Sequence, residues 1–245
     1  EPVMLGSAGG DSSVEADEEA ETGGPGGGVL WLDAAESIWV EGELIADGTS
    51  RSGFSSVTPG GGGAGGSILL TSETLAGTGV ISARGGTSYW TSFESSGYYA
   101  GGSGGRIAVS SQTNTFSGAL RAGGGQARSG PGTIVLEDLV LHRRTLRVDQ
   151  GLVGGRPAIL TDPEPTDWVF GRIELINNAD LELLDADDTI DLRLANTAGD
   201  GTGQIHLHYP HQFTEPELHG LGLYIHQDGE LILPAVFTVR GVRLS

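Results

Sequence analysis

Short runs of alternating apolar and polar residues recur along this chain, and glycine-rich stretches separate them. In one run, Ile68 and Leu70 fall on the same face of an extended strand, and Ile107 and Val109 do the same in a later run. No segment sustains the three- and four-residue apolar spacing of an amphipathic helix. The pattern therefore predicts an all-β chain with essentially no helix.

The apolar runs belong to a repeating unit. A glycine-rich stretch, a short strand, a small-residue turn and a second strand follow one another from Gly28, from Gly66 and from Gly105, and a shorter copy begins at Gly130. Successive units are 38 and 39 residues apart. A single strand pair cannot bury its own apolar face, whereas stacked copies can. The repeat therefore predicts a solenoid.

Composition divides the chain into two parts. Residues 1–156 contain the glycine-rich repeats, while residues 157–245 contain fewer glycines and show cleaner alternation. We expect the second part to continue the β-coil, with a C-terminal subdomain as the alternative. The chain begins within the pattern of a repeat, so we also expect it to be part of a longer protein whose targeting signal lies elsewhere.

Glycine supplies 43 of the 245 residues. Its tracts lack the strict three-residue period of collagen, and their regular alternation with apolar runs distinguishes them from a flexible linker. Tight corners of a coil require positive φ or close approach of backbones, and glycine permits both. We therefore expect the glycine tracts to form the corners of the coil.

Residues 60–86 (GGGGAGGSILL to ISARGG) resemble the glycine-rich repeats of large bacterial surface proteins that have right-handed parallel β-helices. Residues 171–183 (GRIELINNADLEL) and 228–244 (DGELILPAVFTVRGVRL) resemble the rung sequences of the same broad class. The resemblance implies a right-handed parallel β-helix with glycine-rich turns and long loops, secreted or displayed at the cell surface. That class includes adhesins, fibres and polysaccharide-active enzymes, so the fold alone does not assign a function.

Charge and composition narrow the range of partners. The chain has 32 acidic and 13 basic residues, a formal net charge of −19. An acidic surface repels nucleic acid and anionic membranes, whereas calcium suits it. The absence of cysteine excludes disulfides and thiolate zinc sites, and no apolar stretch is long enough to span a bilayer. We expect no nucleic-acid partner and no membrane insertion.

Residues 87–100 concentrate aromatic side chains in a segment otherwise rich in Ser, Thr and Gly. The aromatic residues are Tyr89, Trp90, Phe93, Tyr98 and Tyr99. Aromatic faces stack on sugar rings, and hydroxyl groups supply adaptable hydrogen bonds. We predict that this loop binds a cell-surface glycan or protein ligand; the alternative is a lid that folds back over one side of the coil.

Two other sets of residues are candidate metal ligands. Asp185, Asp187, Asp188 and Asp200 lie in oxygen-rich turns that could hold calcium, although neither turn matches an EF-hand or a nonapeptide calcium repeat. His206 and His208 share one face of a predicted strand and could bind a transition metal. For both sets, a solvated surface is the competing interpretation.

These observations favour a structural or adhesive segment, a rigid stalk that presents loops for contact, over an enzyme. A polysaccharide lyase or glycoside hydrolase would need converging acids, and a lyase also needs a basic residue. The chain has no lysine, and its only basic doublet is Arg143–Arg144. A segment of a trimeric fibre is a further alternative, so we expect either a monomer or a fibre-forming oligomer.

Overall fold

A computed structural model describes most of the chain. The described ranges are 4–12, 21–54, 59–91, 96–98, 100–126, 129–151, 158–160, 170–183, 197–208, 210–212, 217–219, 222–225, 230–232, 238–240 and 243–244. These residues form strands, turns and irregular segments without a helix, which confirms the all-β class. Accordingly, the described ranges contain no membrane-spanning helix.

The strands are short and follow the repeats. The first half contains β1 (Val29–Asp33), β2 (Ser37–Trp39), β3 (Glu43–Ile45), β4 (Arg51–Phe54), β5 (Ser67–Ala76), β6 (Val80–Ser82), β7 (Ser88–Thr91), β8 (Ser96–Tyr98), β9 (Arg106–Asn114), β10 (Ala119–Arg121) and β11 (Gly132–Asp138). The second half contains β12 (Arg143–Asp149), β13 (Ala158–Leu160), β14 (Arg172–Ile176), β15 (Asp180–Leu183), β16 (Thr197–Gly199), β17 (Gln204–Leu207), β18 (Pro210–Gln212), β19 (Glu217–His219), β20 (Gly222–Ile225), β21 (Glu230–Ile232), β22 (Thr238–Arg240) and β23 (Arg243–Leu244).

Most neighbouring strands pair in parallel; among the described strands, the antiparallel pairs are β7-β8 and β11-β12. Sheet A has the order β1-β5-β9-β11-β12-β14-β16, and β2 also pairs with β5. Sheet B has the order β10-β6-β3, sheet C has the order β4-β7-β8, and sheet D has the order β13-β15-β17-β20-β23. Two further pairs, β18-β21 and β19-β22, complete the described pairing.

The core of the first half consists of aliphatic side chains that stack between repeats. Ile68, Ile107 and Ile134 are register partners along sheet A and are at most 1% exposed. Leu70 and Val109 stack beside them and are at most 2% exposed, as the alternation predicts. Each such side chain contributes roughly 1.5–3 kcal/mol on burial. The apolar faces are therefore buried by the neighbouring repeats.

The glycine tracts lie side by side, and hydrogen bonds join them at every third residue. The N–H groups of Gly6 and Gly9 each donate to the carbonyls of Gly27 and Gly24, respectively, at 2.9 Å. The N–H groups of Gly24 and Gly27 donate in turn to a third tract, at 2.8 Å. Three residues per turn is the repeat of a polyproline II helix, in which successive residues face different neighbours. The tracts thus form a bundle of extended, mutually hydrogen-bonded chains.

Close backbone approach explains why these tracts contain glycine. A Cβ atom on Gly27 would lie 1.9 Å from the Ala46 carbonyl oxygen, and one on Gly102 would lie 1.9 Å from that of Gly63. Left-handed φ values occur instead at Gly77, Gly151 and Gly201, outside the tracts, among the glycines that the structure describes. The expectation of close approach is therefore confirmed, whereas positive φ is not what the tracts require.

The buried face of sheet A changes between β11 and β12. These strands pair antiparallel, and direct partners on such a ladder project from the same face. Ile134, which is fully buried, is opposite Arg147, while Leu146, 2% exposed, is opposite the half-buried Val135. Leu146 and its parallel neighbour Ile173 therefore belong to a second core, on the opposite face of the sheet from the first.

Charged groups occupy the face that the first core leaves at this point. The guanidinium of Arg147 contacts the Glu174 carboxylate at 2.7 Å, and Arg172 contacts the other oxygen of the same carboxylate at 2.7 Å. On the face of sheet A where β11 carries the buried Ile134, the neighbouring strand β12 therefore carries the ion-paired Arg147. The described residues thus form two cores that lie on opposite faces of sheet A.

We expect Gly27→Ala to lower the free energy of unfolding by about 1–3 kcal/mol, because the new methyl group would overlap a backbone oxygen that cannot move independently. Gly28→Ala is the matched control, since a Cβ there meets nothing within 4 Å. Urea denaturation measures both. Equal effects of the two substitutions would contradict the close-packing explanation.

We expect Leu146→Ala to cost about 2–5 kcal/mol because it leaves a cavity in the second core. Val135→Ala, at the register partner, should cost clearly less because that side chain is only half-buried. The same denaturation measurement compares them. A larger loss at Val135 than at Leu146 would show that the buried face does not change at this pair of strands.

Candidate functional site

The aromatic segment predicted as a loop is partly a hairpin of sheet C. β7 pairs antiparallel with β8, so that Tyr89 is the register partner of Tyr98, and Trp90 is the partner of Gly97. β7 also pairs in parallel with β4. Tyr, Trp and Thr favour extended backbone, which explains why this segment forms strands despite its loop-like composition. Phe93 and Tyr99 lie outside the described residues.

Tyr89 and Trp90 cannot form one continuous platform, because neighbouring residues of a strand project from opposite faces. Ser88 and Trp90 share one face. Ser88 is fully buried, and its hydroxyl donates to the Gly60 carbonyl at 2.9 Å, so that face is turned towards the glycine tracts. Tyr89 is on the other face, beside the exposed Ser52 of β4.

The register determines what borders each aromatic residue. Trp90 lies between Gly53 and Gly97, neither of which has a side chain, and its own side chain is half-buried. Tyr89 lies between Ser52 and Tyr98, a row in which every position carries a hydroxyl-bearing residue. Tyr89, which is half-buried as Trp90 is, therefore lies in the row of hydroxyl-bearing residues, while Trp90 lies in the row that contains glycine.

A second aromatic position, which sequence reasoning missed, is Trp39. Its side chain is 69% exposed, and its indole N–H donates to the Glu41 carboxylate at 2.5 Å. The Thr78 hydroxyl donates to the other oxygen of Glu41 at 2.7 Å. These hydrogen bonds, first from Thr78 and then from Trp39, lower the pKa of Glu41. The detectable signal was alternation, since the adjacent Ile38 is buried and Trp39 must then point outward.

The Asp200 carboxylate accepts hydrogen bonds at the turn between β14 and β15. The donors are the Asn177 N–H at 2.8 Å and the N–H and hydroxyl of Thr202. Asn177 and Asn178 adopt left-handed φ values of 60° and 59°, which asparagine tolerates better than most residues. Burial raises the pKa of Asp200, but the hydrogen bonds from Thr202 and Asn177 outweigh burial and leave the pKa below its usual value.

The predicted calcium ligands are not brought together within the described part of the chain. Asp200 is exposed and engaged with the Asn177–Asn178 corner, while Asp185, Asp187 and Asp188 lie outside the described residues. Across the ranges that the structure describes, no group of three or more His, Cys, Asp or Glu residues is arranged to hold a metal ion. Calcium binding therefore stays a prediction from the sequence.

His206 lies in β17 and His208 follows it directly, and both are close to carboxylates of the neighbouring strand β15. His206 Nε2 lies 3.9 Å from an Asp180 oxygen, and His208 Nε2 lies 4.0 Å from a Glu182 oxygen. Ile205, which directly precedes His206, is fully buried. The predicted alternation of inward apolar and outward polar residues therefore holds at Ile205. Burial raises the pKa of Asp180, an effect that His206 opposes and Glu182 reinforces.

Comparison of this chain with protein-family models, with curated proteins and with solved structures found no match. The functional assignment therefore depends on the site geometry and on the chemistry of its residues.

Asp200→Ala should lower the free energy of unfolding at pH 7 by about 1 kcal/mol, because it removes the acceptor for Asn177 and Thr202. A carboxylate whose pKa is lowered by folding stabilises above its ordinary value of 3.8, and that contribution is lost as the pH falls through the lower, folded-state pKa. The difference between wild type and variant should therefore shrink below about pH 3.8.

Asp200→Asn is the matched control, since it keeps a carbonyl acceptor but has no charge to titrate. Thermal unfolding measured across the acidic range distinguishes the two. A wild-type to Asp200→Ala difference that stays constant with pH would contradict the role given to the charged carboxylate.

Proposed function

We propose that this chain is a structural and adhesive segment of an exported cell-surface protein. In this proposal it is a right-handed parallel β-helix that holds the sheet C hairpin at its side for contact with a neutral glycan. The parallel ladders of sheets A, B and D support the coil. The hydrogen-bonded glycine tracts support its stiffness, because they join consecutive repeats through backbone groups alone.

The observation that carries the proposal is the register of sheet C. It makes Ser52, Tyr89 and Tyr98 backbone partners on adjacent strands, and Ser52 and Tyr89 lie on the face directed away from the glycine tracts. An aromatic face beside hydroxyl groups matches a sugar ring, which has apolar C–H faces and hydroxyl edges. The strands fix these backbone positions before binding, so little ordering entropy is lost on contact.

Charge selects among glycans. The chain has a formal net charge of −19, which disfavours uronate-rich or sulfated polymers through like-charge repulsion. A neutral hexose polymer carries no charge and is therefore not repelled in this way. We therefore propose neutral saccharides as the ligand class.

A glycan array probed with the whole chain should show binding to neutral saccharides, and Tyr89→Ala should weaken that binding about tenfold by removing the stacking face. Trp39→Ala is the matched control, because it truncates an aromatic residue that is exposed on a different sheet. No retained glycan, or equal losses from the two variants, would refute the assignment.

A further inference from the structure

The turn after β11 leaves one side of sheet B without a further strand. β1, β5 and β9 of sheet A each lead on to a strand of sheet B, which is β3, β6 and β10, respectively. β11 leads instead into the turn at residues 139–142, and β12 returns along sheet A. Within the described ranges, β10 therefore pairs with β6 alone. We call the other side of β10 the β10 edge; it results from a turn in the middle of the sequence.

The backbone of Leu120 is directed at the β10 edge. On one side of Leu120, the Ala119 N–H donates to the Gly79 carbonyl at 3.0 Å, and on the other, the Arg121 carbonyl accepts from the Ala83 N–H at 2.8 Å. Both of these bonds point towards β6, and successive residues of a strand direct their backbone groups to alternate sides. The N–H and C=O of Leu120 therefore point away from β6, where an added strand can bond to both.

The first core is less covered beside the β10 edge than one layer away from it. Leu120 and Leu136 both pack against this core but remain half-buried. Their register partners, Ile81 and Val109, are at most 2% exposed. An aliphatic side chain placed opposite Leu120 would extend the core. A strand that occupies the edge therefore needs an aliphatic residue directed inward.

Arg121 determines the outward side of such a strand. It follows Leu120 in β10, so its side chain projects from the opposite face of sheet B, and it is exposed. Opposite charges on directly paired strand positions are favourable, whereas like charges there are destabilising. The residue that faces Arg121 across the edge is therefore acidic.

The neighbouring part of sheet A does not repel an acidic segment. On the face that carries Ile134, β11, β12 and β14 bear three arginines and three acids, which are Arg143, Arg147, Arg172, Asp138, Asp149 and Glu174. Arg147 and Arg172 each donate through Nε to Glu174 at 2.7 Å. In the whole chain, by contrast, 32 acidic residues face 13 basic ones. The acidic surplus of the chain is therefore absent from this face.

We propose that the β10 edge binds an extended, acidic segment of a partner protein as a further strand of sheet B. The segment alternates aliphatic residues, which face the first core, with acidic residues, one of which faces Arg121. In strand addition, main-chain hydrogen bonds provide affinity and alternate side chains provide specificity. The inference goes beyond glycan binding and uses neither sheet C nor its aromatic residues, so either proposal can fail without the other.

Fluorescence anisotropy of a short, labelled peptide of alternating leucine and glutamate, titrated with the whole chain, tests the proposal. A peptide of alternating leucine and lysine should bind about tenfold more weakly or worse, because it places a like charge beside Arg121. The net charge of −19 by itself favours the lysine peptide, so the opposite preference reports on the edge.

Arg121→Glu should weaken binding of the glutamate peptide about tenfold and strengthen binding of the lysine peptide. Arg106→Glu is the matched control, since it makes the same change in charge at an exposed arginine of sheet A. That variant should keep the wild-type preference. Thermal unfolding of both variants confirms that they are folded.

Amide hydrogen exchange locates the bound peptide. The glutamate peptide should slow exchange at Leu120 about tenfold, whereas the Ala119 amide, already bonded to Gly79, should change less. No binding, tighter binding of the lysine peptide to wild type, equal effects of the two substitutions, or unchanged exchange at Leu120 would overturn the proposal. Self-association of the chain alone that Arg121→Glu abolishes would also overturn it, because the edge would then belong to a second copy.

Discussion

The constraint on which this fold depends is the direct packing of backbone against backbone in the glycine tracts. Buried N–H and C=O groups must be hydrogen-bonded, and tracts without side chains achieve this only by bonding to one another. The same hydrogen bonds tie the tracts to the strands. Gly66 N–H donates to Ala46 at 2.7 Å, and Gly105 N–H donates to Ala83 at 2.7 Å. The spacing of the sheets is therefore set by chain segments that have almost no side-chain volume.

This arrangement has an energetic cost that the aliphatic core must offset. Ordering glycine removes more conformational freedom than ordering any other residue. The compensating burial comes from columns such as Ile68, Ile107 and Ile134, whose side chains pack against one another across neighbouring strands. Ile134 is fully buried although its partner on the other side is Arg147. The column is therefore closed by the aliphatic part of a charged side chain as well as by aliphatic residues.

The sequence could predict which residues share a face, but not which face is buried at each strand. Two-residue alternation identified Ile68 with Leu70, and the repeat predicted the parallel stacking. The buried face of sheet A changes between β11 and β12 because these two strands run antiparallel, and the short turn between Asp138 and Arg143 sets that direction. There the Asp138 carboxylate accepts hydrogen bonds from the N–H groups of Val140 and Leu141, and His142 adopts a left-handed φ of 50°. The pairing of Tyr89 with Tyr98 was equally hidden, because cross-strand register is not encoded in local composition.

The exposed acidic residues of β1 and β3 lie beside exposed apolar side chains of the same strands. Strands with exposed apolar side chains invite indiscriminate pairing, and charges on them are a common protection against it. Asp33 and Glu43 are exposed on these strands, and bringing them against another acidic strand is unfavourable. Because the chain has 32 acidic and only 13 basic residues, that repulsion extends to most surfaces of the chain itself, and the acidic composition therefore protects apolar strands that the core does not cover.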